Sequence, residues 1–401
     1  MMIEYRGGDT DGKICPECDT KMNGEYSEII DGITTYKCPN CGMRMHLFER
    51  ILEEYKKSVN LTVRKMLEKY LRNIEGISEL RNENVEEFHW KLCTDYINRG
   101  GKYIRPTLLI LTAEAMGSNR SSCLNTAAAM EISENWLLIH DDFEDQSTSR
   151  RGGPTLHLRY TPELAVNAGD ALHIIMWKIL QENIKVIGQK KTYRIMDEFY
   201  RMLSIVGLGQ TAELFYIHLN RFDLTYDEIY YILDGKTSYY TIAGPMRLGA
   251  IIAENNEDYL ENKVFPKLNK LGVYLGRAFQ IIDDILDLTT EFRGLKQQKG
   301  NDIYEGKRTL ILAHLLNAAT EFDRKRIIEI LKKPRDAKTE SEVKYILYLM
   351  REYGSIDYAK SVAKDLVSKA VDIFRNIDFF VNEDAKKKLL LGIDFIVNRE
   401  F

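Results

Sequence analysis

Leu138-Ile-His-Asp-Asp-Phe-Glu-Asp145 closes an apolar helical run in a knot of acid, and the pattern returns at Gln280-Ile-Ile-Asp283-Asp284-Ile-Leu-Asp287. On a helix Asp141 and Asp145 stack on one face, with Asp142 and Glu144 close by; Asp283 and Asp287 do the same beside Asp284. Carboxylates this crowded repel one another. Each face must therefore be fully solvated or hold hard cations, which take oxygen ligands. Two such faces in one chain confine the fold to arrangements that bring both to water or both to a shared site.

The residues after the first face carry the opposite charge. Arg150-Arg151-Gly152-Gly153-Pro154 sets two permanent cations on a flexible turn. Acid that can hold metal beside base that can hold an anion is what a diphosphate requires. Singly, each acidic run reads equally well as a solvated helix end. Jointly, in one helical chain, they point to a common site.

The chain beyond Asn84 reads as helix after helix. Thr161-Pro162 places a cap before a first-turn proline, and Thr225-x-x-Glu228 and Thr339-x-x-Glu342 have capping-box form. Gly100-Gly101, Gly117, Gly188 and Gly354 supply stops. The expected class is all-α, a bundle of roughly ten to thirteen helices around a central apolar cavity. A net charge of −4 with interspersed charges excludes a basic tail for nucleic acid, so no nucleic-acid partner is expected. No apolar run reaches the ~18 residues that span a bilayer, and the first residues lack a signal peptide's hydrophobic segment, so a cytoplasmic protein is expected.

Residues 1–46 read as a separate module. Cys15-Pro-Glu-Cys18 and Cys38-Pro-Asn-Cys41 are paired knuckles whose thiolates can converge on one zinc, with a hairpin between Tyr26 and Tyr36 turning at Asp31-Gly32. That is a small zinc ribbon; a redox or disulfide pair is the other reading. It is expected to be a structural appendage, dependent on its metal for stability, whose partner is not written in the sequence. Residues 47–79 keep helical spacing and read as a connecting helix or the first helix of the bundle, and 80–401 as the main helical domain. Cys93 and Cys123 are isolated and read as buried apolar residues.

Together these motifs carry a resemblance. Gly100-Gly101-Lys102-Tyr-Ile-Arg105-Pro106, the two aspartate faces, Lys236-Thr237, and Lys299-Gly-Asn-Asp302 with Glu305-Gly-Lys307-Arg-Thr309 stand in the order found in trans-isoprenyl diphosphate synthases, which the chain resembles from about Leu80 onward. The resemblance implies a prenyltransferase of farnesyl to geranylgeranyl type that joins isopentenyl diphosphate to an allylic diphosphate. It implies Mg²⁺ on Asp141, Asp145 and Asp283, with Asp142, Asp284 and Asp287 as ligands or their supports, and Lys236 among the catalytic groups. Arg150, Lys236, Lys299 and Lys307, with Thr237 and Gln280, are implied for the allylic diphosphate. Lys102, Arg105 and Arg151 are implied for isopentenyl diphosphate, and a homodimer for the assembly.

One position departs from the family pattern: Glu134 stands where a His or Gln is usual, seven residues before Asp141. Trp136 and Leu137, one helical turn before Asp141, are expected to floor the cavity and limit product length; outward packing of Trp136 is the other reading. Two rival functions remain at this stage. A class I terpene cyclase shares the first acidic motif but not the second aspartate-rich set, and does not need Lys102 and Arg105. A non-catalytic, regulatory relative would use the ribbon as an interaction module.

Overall fold

The structure, a computed structural model, describes residues 13–72, 82–289 and 299–397. The expected boundary between residues 79 and 80 lies outside the described residues, as does the start of the 1–46 module. Strands β1 (Asn23–Ser27), β2 (Gly32–Lys37) and β3 (Arg44–His46) form an antiparallel sheet in that order. The chain turns at Asp31, whose φ of 57° lies in the left-handed region that Asp tolerates. Thr35 pairs with His46 and Lys37 with Arg44.

Helix α1 (Leu47–Leu67) leaves the sheet without a linker, because His46 is its N-cap. The Phe48 N–H donates to His46 Nδ1 at 3.0 Å and the His46 N–H donates to Glu49 Oε2 at 3.0 Å, closing a capping box. Then follow α2 (Glu83–Arg99), α3 (Ile104–Ala115), α4 (Leu124–Glu144), the hairpin β4 (Ser149–Arg150) and β5 (Gly153–Pro154), α5 (Leu156–Arg159), α6 (Pro162–Gln181) and α7 (Ile184–His218). The second half contributes α8 (Tyr226–Leu233), α9 (Gly244–Ala253), α10 (Glu257–Tyr259), α11 (Phe265–Thr289), α12 (Asn301–Glu305), α13 (Leu310–Ala318), α14 (Glu321–Leu331), α15 (Glu340–Glu352), α16 (Ser355–Arg375) and α17 (Glu383–Val397). The segments outnumber the sequence expectation chiefly because α5, α10 and α12 are only three to five residues long. The three predicted N-caps are all made: Thr161 accepts from the Leu164 N–H, and Thr225 with Glu228 and Thr339 with Glu342 form reciprocal boxes. Gly188, at φ 82°, breaks α7 near its start.

Helix packing brings the two acidic helix ends together. Ala127, Ala128 and Ala129 of α4 are fully buried, and these small side chains let α4 lie close against its neighbours α3 and α6. Between α8 and α9 the helix does not stop but widens into a π-helical stretch, Asp234–Ala243, of the kind often found at functional sites. Two glycines admit it. A Cβ on Gly209 of α7 would lie 2.4 Å from the Lys236 nitrogen, and one on Gly276 of α11 would lie 2.3 Å from Ser238 Cα.

The C-terminal helix ties the ribbon to the bundle. The Val381 and Asn382 N–H groups donate to the Ala115 carbonyl at 2.7 and 3.0 Å, so α17 starts at the end of α3 and packs back along it. Asp394 and Phe395 thereby reach the Ile104 end of α3. There the buried Asp394 carboxylate accepts from Ser27 Oγ and, at 2.9 Å, from His46 Nε2. The apolar face of α1 joins the same core, packing against α3, α4 and α17. No helix among the described residues is long and apolar enough to cross a membrane.

Candidate functional site

A cavity of about 840 Å³ opens where α3, α4, α7, the π-helical stretch and α11 meet. Asp141 at the end of α4 and Asp283, Asp284 and Asp287 at the end of α11 line it from two helices. Lys102, Arg105, Arg150, Lys236, Thr237, Gln280 and Lys307 line it too. Trp136, Leu137, Leu203, Val206, Leu214 and Phe279 supply apolar wall. Asp141 of the first acidic set and all three aspartates of the second thus line one cavity.

Lys236 and Lys307 are each held by acid. Lys236 Nζ lies 3.0 Å from Asp141 Oδ1, 2.6 Å from Glu213 Oε2 and 4.0 Å from Asp145 Oδ2. Lys307 Nζ lies 3.2 Å from Asp145 Oδ2 and 2.8 Å from Glu305 Oε2. Burial pushes the Asp141 carboxyl up, but Lys236, Lys307 and Arg150 outweigh it and hold Asp141 well below the usual carboxylate range. Asp145 goes the other way: burial, helped by Asp141 and Glu213, prevails over Lys307 and Lys236. Both lysines are held above their usual range because the surrounding carboxylates outweigh burial.

Four predicted site residues do not line the cavity: Asp142, Asp145, Arg151 and Lys299. Asp142 is fully buried, accepting from Arg150 Nε at 3.0 Å and from Tyr96 Oη at 2.8 Å, so it aims the Arg150 guanidinium. Asp145 lies behind Lys307. Arg151 and Gly152 both take left-handed φ, 49° and 77°, making the tight turn between β4 and β5. That turn splits the two arginines. Arg151 Nη1 donates at 2.8 Å to the Tyr96 carbonyl and to Asn135 Oδ1, under Gly101, where a Cβ would meet its Nη2 at 2.8 Å. It props the Gly100-Gly101-Lys102 loop from behind. Lys299 is exposed, at the edge of the described segment that begins with it.

The same loop bends sharply at Tyr103, a non-glycine residue at φ 58°, a conformation that costs roughly 1–2 kcal/mol. This bend precedes α3 and leaves both Lys102 and Arg105 on the cavity wall. The departure at Glu134 is resolved by geometry: its Oε1 is 2.9 Å from Arg105 Nη1, while Arg105 Nη2 donates to Thr241 Oγ1 at 2.9 Å. Glu134 thus offsets one of the cations expected to hold an anion.

Sequence reasoning missed Glu213 and the contribution of the ribbon. Glu213 is 6% exposed and clamps Lys236; its signal is Gln210-x-x-Glu213 on one face of α7, both lining the cavity. Thr35, Arg44 and His46 of the ribbon also line the cavity, and no local pattern announces that.

Two metal centres are tested by these donors. In the ribbon the four Sγ atoms of Cys15, Cys18, Cys38 and Cys41 lie within 4.8 Å of one another, the only such group among the described residues. Cys15 to Cys41 and Cys18 to Cys38 are each 3.5 Å, against ~3.8 Å expected between sulfurs tetrahedral about zinc at 2.3 Å. The fit is good. In the cavity the donors are all carboxylate oxygen, the chemistry of a hard divalent cation. Asp284 accepts from Gln280 Nε2 at 2.9 Å and makes no ion pair among the described residues, so a cation there would meet a buried carboxylate.

Burial pushes Asp284 up to about 7, over the opposing Gln280 hydrogen bond and Lys307 charge. The unfolded chain ionises this group from about pH 4, so between that value and 7 the folded state binds more protons and its stability falls as pH rises. In metal-free protein Asp284→Asn is therefore expected to raise Tm at pH 8 by about 2 °C or more and to change it little at pH 4. Scanning calorimetry in chelator measures this, and equal melting of both proteins at pH 8 would contradict it.

The polyprenyl synthetase family profile matches residues 87–350. The chain is 32% identical over 317 residues to a geranylgeranyl diphosphate synthase of Saccharolobus solfataricus, covering 79% of this chain and 91% of that one. It is 28% identical over 343 residues to a geranylfarnesyl diphosphate synthase of Natronomonas pharaonis, covering 82% and 94%. The crystal structure of a geranylgeranyl pyrophosphate synthetase from Pyrococcus horikoshii superposes with a TM-score of 0.73 at 30% identity, over 88% of this chain and 99% of that one. With these likenesses added to the two facing aspartate sets, the chain belongs to the polyprenyl synthetase family and is a short-chain prenyltransferase.

Proposed function

We propose that the chain condenses isopentenyl diphosphate with an allylic diphosphate to give a product of farnesyl to geranylgeranyl length. The single observation that carries this reading is the shared cavity, lined by aspartates from α4 and α11 together with lysines, arginines and apolar side chains. Asp141 and Asp283, which both line the cavity, would hold Mg²⁺, which when bound supplies Lewis-acid neutralisation of the departing diphosphate, while Asp145 stays paired with Lys307. Arg150, Lys236 and Lys307, with Thr237 and Gln280, orient the allylic diphosphate and stabilise its charge as the carbon to oxygen bond breaks. Thr237 Oγ1 donates to Gln280 Oε1 at 2.8 Å, which fixes both for that task. Lys102 and Arg105 bind the second diphosphate, and Arg151 supports their loop. Zinc on the four cysteines holds the ribbon. A homodimer fits the exposed apolar stripe of Tyr193, Tyr200, Leu208 and Phe215 on α7.

The test is incubation of the purified protein with Mg²⁺, isopentenyl diphosphate and an allylic diphosphate, with chromatography of the products. A longer prenyl diphosphate is expected; a hydrocarbon would favour a cyclase, and no turnover with any allylic donor a regulatory relative. Trp136 lines the cavity with its ring 4.7 Å from that of His173, one turn before Asp141. Trp136→Ala is accordingly expected to move products upward by one isoprene unit or more. An unchanged product ladder would remove Trp136 as the floor.

A further inference from the structure

The last turn of α2 bears on Arg150 from two sides, although Asp95, Tyr96 and Arg99 do not line the cavity. Arg99 Nη1 donates at 2.8 Å to the Arg150 carbonyl and at 2.8 Å to the Pro154 carbonyl, one on each strand of the β4–β5 hairpin. Gly153 makes room for this, since a Cβ there would lie 2.9 Å from Arg99 Nη1 and 3.0 Å from its Cζ. The buried Tyr96 hydroxyl donates to Asp142 at 2.8 Å and accepts at 3.0 Å from the Leu156 N–H just past the hairpin. Asp142 is the carboxylate that grips the Arg150 side chain. Arg99 thus holds the backbone of Arg150, and Tyr96 holds the group that aims its guanidinium.

The clamp is itself braced. Arg99 Nη2 lies 2.5 Å from Asp95 Oδ1, and Arg159 Nη1 lies 2.9 Å from Asp95 Oδ2. The Arg99 and Asp95 side chains are only 12% and 6% exposed, so water competes little for this pair. A guanidinium is a planar, rigid fork, and anchoring Nη2 on Asp95 fixes where Nη1 points. Arg150 commits Nε and Nη2 to Asp142, keeps Nη2 3.9 Å from Asp141 Oδ2, and leaves Nη1 without a partner among the described residues. With its side chain locked on Asp142 and its backbone on Arg99, Arg150 has little slack. A cation in the last turn of a helix is ordinary, because it offsets the helix dipole. That role does not require it to bridge two carbonyls of another element.

We infer that Arg99 is a positioning residue for the allylic diphosphate, holding the β4–β5 hairpin so that Arg150 meets the departing group. Arg99 acts through Arg150 and not on the substrate. This rests on the reaction proposed above. Folding is expected to survive the loss of Arg99, because Asp95 keeps Arg159.

The test is a double-mutant cycle in full-length protein. Wild type, Arg99→Met, Arg150→Met and the double variant are compared by steady-state kinetics in both substrates and by calorimetric titration with inorganic pyrophosphate in Mg²⁺. Arg99→Met is expected to lower kcat/KM for the allylic diphosphate by roughly 10- to 100-fold, the loss that follows a displacement of about 1 Å at a reacting centre. The KM for isopentenyl diphosphate should stay within about threefold, because Arg151 keeps its own bonds to Tyr96 and Asn135. In the Arg150→Met background the same substitution should cost less than about twofold, since a residue that acts through another has nothing left to act on. A loss of equal size in both backgrounds overturns the inference, as does an Arg99→Met protein with wild-type kinetics. Should Arg99→Met not fold, Gly153→Ala decides in its place, because the added methyl displaces the guanidinium from the hairpin without altering α2. A loss confined to protein that retains Arg150 then supports the role; wild-type kinetics, or an equal loss in both backgrounds, ends it. If the wild-type protein makes no longer prenyl diphosphate, the proposed reaction fails, and the pyrophosphate titrations judge Arg99 separately, by whether its substitution weakens binding only where Arg150 is present.

Discussion

Replacing either Asp141 or Asp283 by Ala in the full-length protein is expected to cut turnover by at least about a thousandfold, since even one lost electrostatic contact to developing charge costs 10²–10³. The two residues face one cavity from different helices, and a diphosphate leaving between them needs both walls. Folding is expected to survive. Lys236 loses its 3.0 Å partner in Asp141→Ala but keeps Glu213 at 2.6 Å, so no buried cation is left unpaired. Circular dichroism should therefore superpose on wild type while product formation disappears. The double variant should lose little more than either single one, because residues that act as a unit are not additive. Residual activity above a tenth of wild type in either folded variant would refute the shared-clamp arrangement.

The parts of this site that a reader of the sequence can find are those that local geometry fixes. Aspartates at i and i+4 share a helix face whatever surrounds them, and Cys-x-x-Cys pairs bend into knuckles by their own spacing. Thr225 and Thr339 announce their caps three residues ahead. What stays hidden depends on contacts distant in the chain or on a single dihedral. Arg150 and Arg151 look equivalent in sequence, yet a left-handed Arg151 sends one to the cavity and the other beneath Gly101. The π-helical widening that presents Lys236 is admitted by Gly209 and Gly276, which lie on other helices. Glu134 reads as a misplaced anion until Arg105 is seen beside it. The ribbon's hold on the bundle joins residues 46 and 394, which no periodicity links.

That long-range hold carries the second large effect. His46 Nδ1 accepts from the Phe48 N–H, which leaves Nε2 to donate to Asp394. Burial pushes the Asp394 carboxyl up, but hydrogen bonds from His46, Ser27 and Thr34 outweigh it and leave Asp394 below its ordinary value. A depressed carboxylate contributes stability that is present above about pH 4 and is lost as pH falls through the folded value. Asp394→Ala strands three buried donors and is expected to cost about 3–5 kcal/mol at pH 7, with the gap to wild type narrowing below about pH 4. Denaturant melts at pH 7 and pH 3 measure both quantities. Asp283→Ala, which leaves this anchor intact, should not melt earlier. A variant at Asp394 that is as stable as wild type at pH 7 would mean that the ribbon is held to the bundle by other contacts.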